Sequence, residues 1–333
     1  MDRVRRRPAA VLHIRDMPDS PAWITEDEVR AKLPMRELID LMSATLAGFS
    51  SGQVEQPVRS VIECGPHAFF GSMPSFVKTI PALGAKLVTV FGSNTAKGLP
   101  THLATIVLLD PATGGLLAVL DGRYITEART AAVSAVSTRL LAREDASALA
   151  IIGSGVQATS HLEALTLVRD FREIRCWSPT RTNLDHFVAA HPGLQAAATA
   201  HEAVQGADVI ALVTSSPEPV IQNAWVKPGA HVISVGACRP NQREIDPRLT
   251  ARARLVVDSR AAALKESGDV VMGIAEGRFD AGHIHAELGE LVLGSKTARE
   301  NPIQITVFKS LGLACEDVAA ADFVFRSTHA DTA

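Results

Sequence analysis

Residues 150–161 read Ala150-Ile-Ile-Gly-Ser-Gly-Val-Gln-Ala-Thr-Ser-His161. An apolar run meets two glycines and then a helix-compatible segment. That order predicts a strand, a tight turn and a helix from about Val156. Gly153-Ser154-Gly155-Val156-Gln157-Ala158 fits the pattern G-x-G-x-x-A. Alone the pattern is weak, because glycines punctuate many turns, and an ordinary ligand-free βα turn is the competing reading. The context strengthens it. Short apolar runs recur at Leu149–Ile152, Glu173–Trp177, Val209–Val213, His231–Val235 and Arg254–Val257, with helical segments starting at Val156 and near Thr182. Strand and helix in alternation predict an α/β chain with a Rossmann-type, doubly wound parallel sheet. In such a turn Gly153 permits the bend and Gly155 lets a pyrophosphate approach the backbone. The helix N-terminus then offers the amides of Ser154 to Gln157. Thr214 and Val235, at the ends of later strands, are counted with the cofactor residues.

The strand after the glycine turn bears on which nucleotide is bound. A carboxylate at its end would hold the ribose hydroxyls of NAD. Here the strand runs into Ser178-Pro-Thr180-Arg181. No acid is present to repel a 2′-phosphate, and three side chains can donate to one. NADPH is therefore expected, with NADH as the alternative. Arg181 reads otherwise as the start of a solvated helix.

The bulk numbers agree with a globular chain of two domains. The chain has 333 residues, 47% hydrophobic and 21% charged, with a formal net charge of −3. No basic face points to nucleic acid, and Arg3–Arg7 reads as a solvated tail. No run of 18 apolar residues suggests a membrane span, and no signal peptide is expected. Cys64, Cys176, Cys238 and Cys315 are far apart, so neither a disulfide framework nor a zinc site is expected. His283 and His285 alone are weak evidence for metal. A cytoplasmic location follows as the default.

The first 125 residues have a different texture. Thr25 and Glu28 make a capping box before a helix over 25–49. Short β-like runs follow at 58–63, 68–73, 85–91, 101–109 and 116–120. A second, Ala-rich helix begins at about Thr126. The segment from Thr306 reads as a helix that packs back on the first domain. The expected division is thus a β-rich α+β substrate and dimerisation domain, 1–125 with 306–333, and a Rossmann domain, 126–305.

Several strings now read together: QPVRS (56–60), AKLVTV (85–90), GLPTHLAT (98–105), EARTAAVSA (127–135), GSGVQA, WVKPGAHVISVGACRP (225–240), ALKESGD (263–269) and TVFKSLG (306–312). They resemble the ornithine cyclodeaminase/mu-crystallin family, and most closely its mu-crystallin branch, which is similar to cyclic ketimine reductases. The resemblance spans about Thr25 to Phe325. It implies a homodimer formed through the β-rich domain, and an α-imino or α-amino acid held beside a nicotinamide. Carried onto matching positions, it implies that Arg59 and Arg129 bind the substrate carboxylate. Lys86 would reach the reacting imine, and His102 would lie near the cofactor.

The residues themselves support these roles. A small imino acid offers little apolar surface, so its carboxylate is the handle, and an arginine fork pairs with it bidentately. Arg129 is expected in the first turn of its helix, where a cation opposes the dipole. Lys86 heads an apolar strand, where partial desolvation lowers its pKa. The competing readings are an edge-strand Arg59, a snorkelling Arg129 and a Lys86 pointing to water.

The chain departs from the cyclodeaminase branch at two places. Cys238 stands where that branch has an aspartate, and Gly71 where it has a glutamate. A thiol with a pKa of about 8.5 replaces a carboxylate poorly at neutral pH, so Cys238 reads as a small residue lining the nicotinamide site. The expected reaction is reduction of a piperideine-2- or pyrroline-2-carboxylate type ketimine. Amino-acid dehydrogenation, for instance of alanine, ornithine cyclodeamination and non-catalytic binding of a small ligand are the alternatives. Glu266 with Asp269 reads as a helix end capped by Gly268, and Glu287 with Glu290 as a solvated face.

Overall fold

The computed structural model describes residues 20–330; the Arg3–Arg7 run lies outside them. The first sheet contains β1 (Ala22–Ile24), β2 (Val54–Glu55), β3 (Ser60–Gly65), β4 (Ala68–Val77), β5 (Ala82–Phe91), β6 (His102–Leu109) and β7 (Leu116–Asp121). Its order is β1-β7-β6-β5-β4-β2, with β3 also paired to β4. Neighbours are antiparallel except β1 and β7. Residues alternate between faces, as a strand requires. On β5, Ala82, Gly84 and Lys86 point inward and are buried, while Leu87 is exposed.

Two helices precede this sheet's longer strands, α1 (Glu26–Lys32) and α2 (Met35–Ser50). The expected single helix over 25–49 is therefore two. Pro34 disfavours helical backbone at Leu33, and the chain restarts at Met35. The Thr25 capping box forms, with the Thr25 amide donating to Glu28 Oε2 at 2.8 Å. The third helix, α3 (Arg123–Leu141), starts earlier than Thr126. Gly122 is its N-cap, and Thr126 lies inside the helix, donating to the Gly122 carbonyl at 2.8 Å. Arg129 thus sits beyond the first turn. The helix is Ala-rich because it is buried on nearly all sides, packed against α2 and the helix that follows the glycine turn, Val156–Thr166.

The second sheet contains β8 (Ala148–Ile152), β9 (Glu173–Trp177), β10 (Leu194–Ala196), β11 (Val209–Leu212), β12 (His231–Ser234), β13 (Arg254–Val257), β14 (Ile284–Glu287) and β15 (Thr306–Lys309). The order is β10-β9-β8-β11-β12-β15-β13-β14, and every pair is parallel. The remaining helices are α4 (Val156–Thr166), α5 (Arg181–Ala190), α6 (Ala200–Val204), α7 (Pro247–Arg252), α8 (Arg260–Glu266), α9 (Gly268–Ala275), α10 (Leu288–Val292) and α11 (Ala314–Ala330). This is the doubly wound arrangement that the glycine turn predicted.

One boundary moves. Thr306–Lys309 is not helical; it is β15, completely buried between β12 and β13. A four-residue strand covered on both faces carries no amphipathic period that would distinguish it from helix. The nucleotide sheet therefore extends to Lys309, and only α11 returns to the first domain, against α2, β4 and β5. Among the described residues no helix is long and apolar enough to cross a membrane, and no metal-binding group of His, Cys, Asp or Glu occurs.

Candidate active site

Three segments distant in sequence meet on the inner face of the first sheet. Lys86 projects inward from the middle of β5, between Met73 on β4 and Ile106 on β6. It is only 2% exposed. Arg129 arrives from α3, also buried. From the first turn of α11 come Glu316 and Asp317, both completely buried. Asp317 joins the two cations: Oδ2 lies 2.6 Å from Lys86 Nζ, and Oδ1 accepts from Arg129 Nε at 3.0 Å. Glu316 Oε2 pairs with Arg129 Nη1 at 2.5 Å and also accepts the Leu313 amide at 3.2 Å. Lys86 therefore does not point to water, and Arg129 does not snorkel.

Burial and these neighbours set the protonation states. Burial drives the Lys86 pKa down, Asp317 partly restores it, and Arg129 lowers it further; the outcome is about 8. Burial disfavours charge on Arg129 too, but Asp317 and Glu316 outweigh it, so the guanidinium stays charged. Burial pushes Glu316 up to about 7. Burial acts likewise on Asp317, yet Arg129 and Lys86 prevail and hold it below the usual range. His102, at the start of β6, is lowered to about 4 by burial and by the nearby Lys86 and Arg129. It is neutral at neutral pH.

Arg59 lies on the link from β2 to β3 and is not a free edge residue. Its Nη2 donates to the carbonyls of Leu311 and Gly312 at 2.7 and 2.9 Å. Its Nε lies 3.2 Å from Glu266 Oε2. The same turn is held from behind by Asp258, at the end of β13, which accepts the Leu311 and Gly312 amides. Gly312 has φ +82°, and an added Cβ would lie 2.3 Å from Arg129 Nη1. No other residue allows so close an approach of backbone to guanidinium in that conformation. A pocket beside Arg59 is lined by Phe49, Gln56, Met73, Ser259 and Glu266.

The second candidate region is the glycine turn. Gly153 has φ +124°, and a Cβ there would lie 2.6 Å from the Val213 carbonyl. Gly155 faces open space. Val156 is 57% exposed although apolar, and Gln157 keeps a buried Oε1 without a partner. An open helix N-terminus with an uncovered apolar residue and an unpaired buried acceptor fits a dinucleotide. After β9, Ser178 is half-buried and Thr180 exposed. Arg181 opens α5, well exposed, with Nε 2.9 Å from Asp185 Oδ1.

Thr214, Val235 and Cys238 gather at the ends of β11 and β12, and Glu244 ties these ends together. Its Oε1 accepts from the Thr214 amide at 2.9 Å and hydroxyl at 2.7 Å, and its Oε2 accepts the Gly236 amide at 2.8 Å. Cys238 Sγ donates to the Val235 carbonyl at 3.2 Å. Behind them, buried Lys309 lies 3.2 Å from Asp269 Oδ2, while Asp269 Oδ1 accepts the Glu244 and Ile245 amides. The bland reading of residues 266–269 is thus corrected. Glu266 faces Arg59, Asp269 is a buried counter-ion, and Gly268 opens α9 rather than capping a helix. A side chain at Gly268 would strike the Gln242 carbonyl. Glu287 and Glu290 are likewise not a plain solvated face. They form a capping box on α10, and Glu287 Oε2 accepts from Ser50 at 2.9 Å.

Sequence reasoning missed the carboxylates. None of Glu316, Asp317, Asp258 and Glu244 was singled out as a site residue, and their partners lie up to 231 positions away, from Lys86 to Asp317. One signal was available: two adjacent acids within the otherwise apolar run ACEDVAAA.

The model of one family, ornithine cyclodeaminase/mu-crystallin, matches residues 20–331. The chain belongs to that family. It is 45% identical over 317 residues to the mouse protein named ketimine reductase mu-crystallin, covering 93% of this chain and 98% of the relative. Among solved structures, Thermococcus litoralis Δ1-pyrroline-2-carboxylate reductase in complex with NADH and L-proline superposes with a TM-score of 0.91. It is 36% identical and covers 93% of this chain and 98% of its own. An archaeal alanine dehydrogenase dimer with bound NAD follows at a TM-score of 0.89, 30% identity and coverage of 94% and 97%.

Proposed function

We propose that the protein reduces cyclic ketimines of the piperideine-2-carboxylate or pyrroline-2-carboxylate type, using a reduced nicotinamide dinucleotide. The observation that carries this reading is the buried convergence of Lys86 and Arg129, with Arg59 at its border, on the inner face of the first sheet that α11 covers. A dinucleotide held at the Gly153–Gln157 turn would supply the hydride that the imine carbon accepts. The chain does the rest. Arg129, with Nε and Nη1 fixed by Asp317 and Glu316, offers its remaining Nη2 to the substrate carboxylate. Arg59 contributes a second cation. Lys86, with a pKa near 8, is mostly protonated at neutral pH and gives its proton to the imine nitrogen. The two electrons of the hydride and this proton together convert C=N to HC–NH. The carboxylate stays bound, and Lys86 is reprotonated from solvent as product leaves. Burial of Lys86 and Arg129 strengthens each contact by excluding water.

Cyclodeamination is disfavoured on the same geometry. A side chain at Gly71 would place its Cβ 2.9 Å from Val88, and Cys238 offers no carboxylate. Nucleotide oxidation with a panel of cyclic imino acids tests the reading. Absence of turnover, together with conversion of ornithine to proline, would overturn it. A requirement for ammonia would instead mark an amino-acid dehydrogenase. A Lys86→Ala protein that keeps its full physiological role would mark a non-catalytic binder.

NADPH is the proposed cofactor, because the segment after β9, Ser178-Pro-Thr180-Arg181, offers three donor side chains and no carboxylate of its own. The NADH and NAD named with the solved relatives make paired titrations the test. A homodimer through the outer face of the first sheet is proposed as well. Antiparallel sheets usually turn polar residues to water, yet here Trp23 is 73% exposed, with Leu103 and Leu87 also uncovered. Val107 and Val119 continue this face between β1 and β5. Contiguous exposed apolar surface of this kind marks an interface. Sedimentation of wild type and of Leu87→Glu distinguishes dimer from monomer. The four free cysteines fit a reducing compartment such as the cytoplasm.

A further inference from the structure

We infer that Asp317 is a positioning residue, which holds Lys86 and Arg129 in register with one another and sustains the charge on Lys86 that the reduction consumes. The inference rests on the proposed ketimine reduction and assigns a role that the reaction does not otherwise identify.

Three observations carry it. Asp317 is the only described side chain ion-paired with both cations, through different oxygens, at 2.6 and 3.0 Å; the Arg129 contact is a hydrogen bond, whereas the Lys86 contact is a close charge pair without hydrogen-bond alignment. It is completely buried, so its charge is screened by neither water nor salt. It also stands in the first turn of α11, the element that returns to the first sheet after β15, so both cations are set by one rigid helix end. The N-terminal turn of a helix is where an anion is favoured.

The surroundings of Lys86 make the charge argument. From α3 it faces Arg129, from the β2–β3 link Arg59, and from β6 the neutral His102. Glu316, on α11, spends its contact on Arg129. Among these groups Asp317 alone favours protonated Lys86 by direct contact, opposing burial and two cations. Without that carboxylate the lysine loses its proton at lower pH, and the imine loses its donor. The two ion pairs also hold proton donor and carboxylate anchor close to one carboxylate, which limits how far they separate.

The test is the pH profile of kcat/KM for a cyclic ketimine, measured on wild type and on Asp317→Asn. In Asp317→Asn the basic limb should move to lower pH by about one unit, as for loss of an adjacent opposite charge. The plateau should fall about tenfold or more, as for one charge-assisted bond to a buried group. Nucleotide affinity, read by nicotinamide fluorescence, should not change. A folded Asp317→Asn protein whose basic limb stays in place overturns the inference, even if its plateau falls. If Asp317→Asn does not fold, Asp317→Glu keeps the charge and displaces it. That variant should hold the basic limb and lose kcat, and wild-type kcat in it would overturn the inference. Failure of the wild-type protein to reduce any cyclic ketimine would sink the functional reading first. Wild-type turnover with an unmoved limb in the variant sinks this inference alone.

Discussion

Gly312→Ala perturbs the site through the backbone and leaves every proposed catalytic side chain chemically unaltered. Gly312 has φ +82°, where an L side chain costs about 1–2 kcal/mol. The new methyl would lie 2.3 Å from Arg129 Nη1, 2.8 Å from Nη2 and 3.0 Å from Cζ. An exposed arginine would swing aside at little cost. Arg129 cannot, because Glu316 and Asp317 hold Nη1 and Nε in a buried setting. Breaking a buried pair outright costs about 3–5 kcal/mol, so the cheaper response is a small shift of the guanidinium with its pairs strained. That shift moves Nη2 away from the substrate carboxylate. A charge-assisted hydrogen bond is worth about 1.5–3 kcal/mol, so kcat/KM for the ketimine should fall about 10- to 100-fold. Nucleotide affinity should be unchanged, because the turn at Gly153–Gln157 is remote in the chain and bonded to other partners. Steady-state kinetics, nicotinamide fluorescence and a thermal melt separate these effects. A variant with a lowered Tm but wild-type kcat/KM would refute the reasoning, since the methyl would then have found room without moving Arg129.

Other consequences follow from the same geometry. Gly153→Ala forces a Cβ to 2.6 Å from the Val213 carbonyl at φ +124°; nucleotide binding should weaken by tenfold or more, about 1.4 kcal/mol, while an unchanged Kd would remove the turn from the nucleotide site. Glu266→Gln releases Arg59 from a partly exposed ion pair. Such pairs are worth about 0.2–1 kcal/mol, so KM for the ketimine should fall up to about fivefold with kcat retained, and a raised KM would mean that Glu266 helps the substrate bind. With Lys86 at about 8, the protonated, active form is complete well below pH 8 and is lost as pH rises through it. Accordingly kcat/KM should decline above pH 8, and a profile level to pH 10 would exclude Lys86 as the proton donor.

Much of the fold could be read from residues 149–257. Apolar runs of four or five residues, broken by glycines and helical stretches, have few alternatives to parallel strands with helices between them, and the five runs expected are strands, while the three-residue edge strand β10, too short to show a pattern, was missed. The reading failed where a period was missing or too short. Thr306–Lys309 is four residues buried on both faces, and its place between β12 and β13 is decided by long-range pairing. The helix at residues 25–49 failed for a local reason, since Pro34 lay in plain view and the apolar repeat on either side concealed the break.

The candidate site divides the same way. Sequence by itself determined the glycine turn and the absence of an acid after β9, because both lie in local strings that adjacent residues explain, while Arg59, Lys86 and Arg129 were singled out by the strings that carry the family resemblance. Only the tertiary structure decided what those cations are bonded to. Asp317 lies 231 positions from Lys86 and 188 from Arg129, as the numbering and the bonds record. An ion pair across such a separation leaves no periodicity in the chain. It exists because β5, α3 and the start of α11 pack together. In that dry interior, two cations without counter-charges would be too costly to bury.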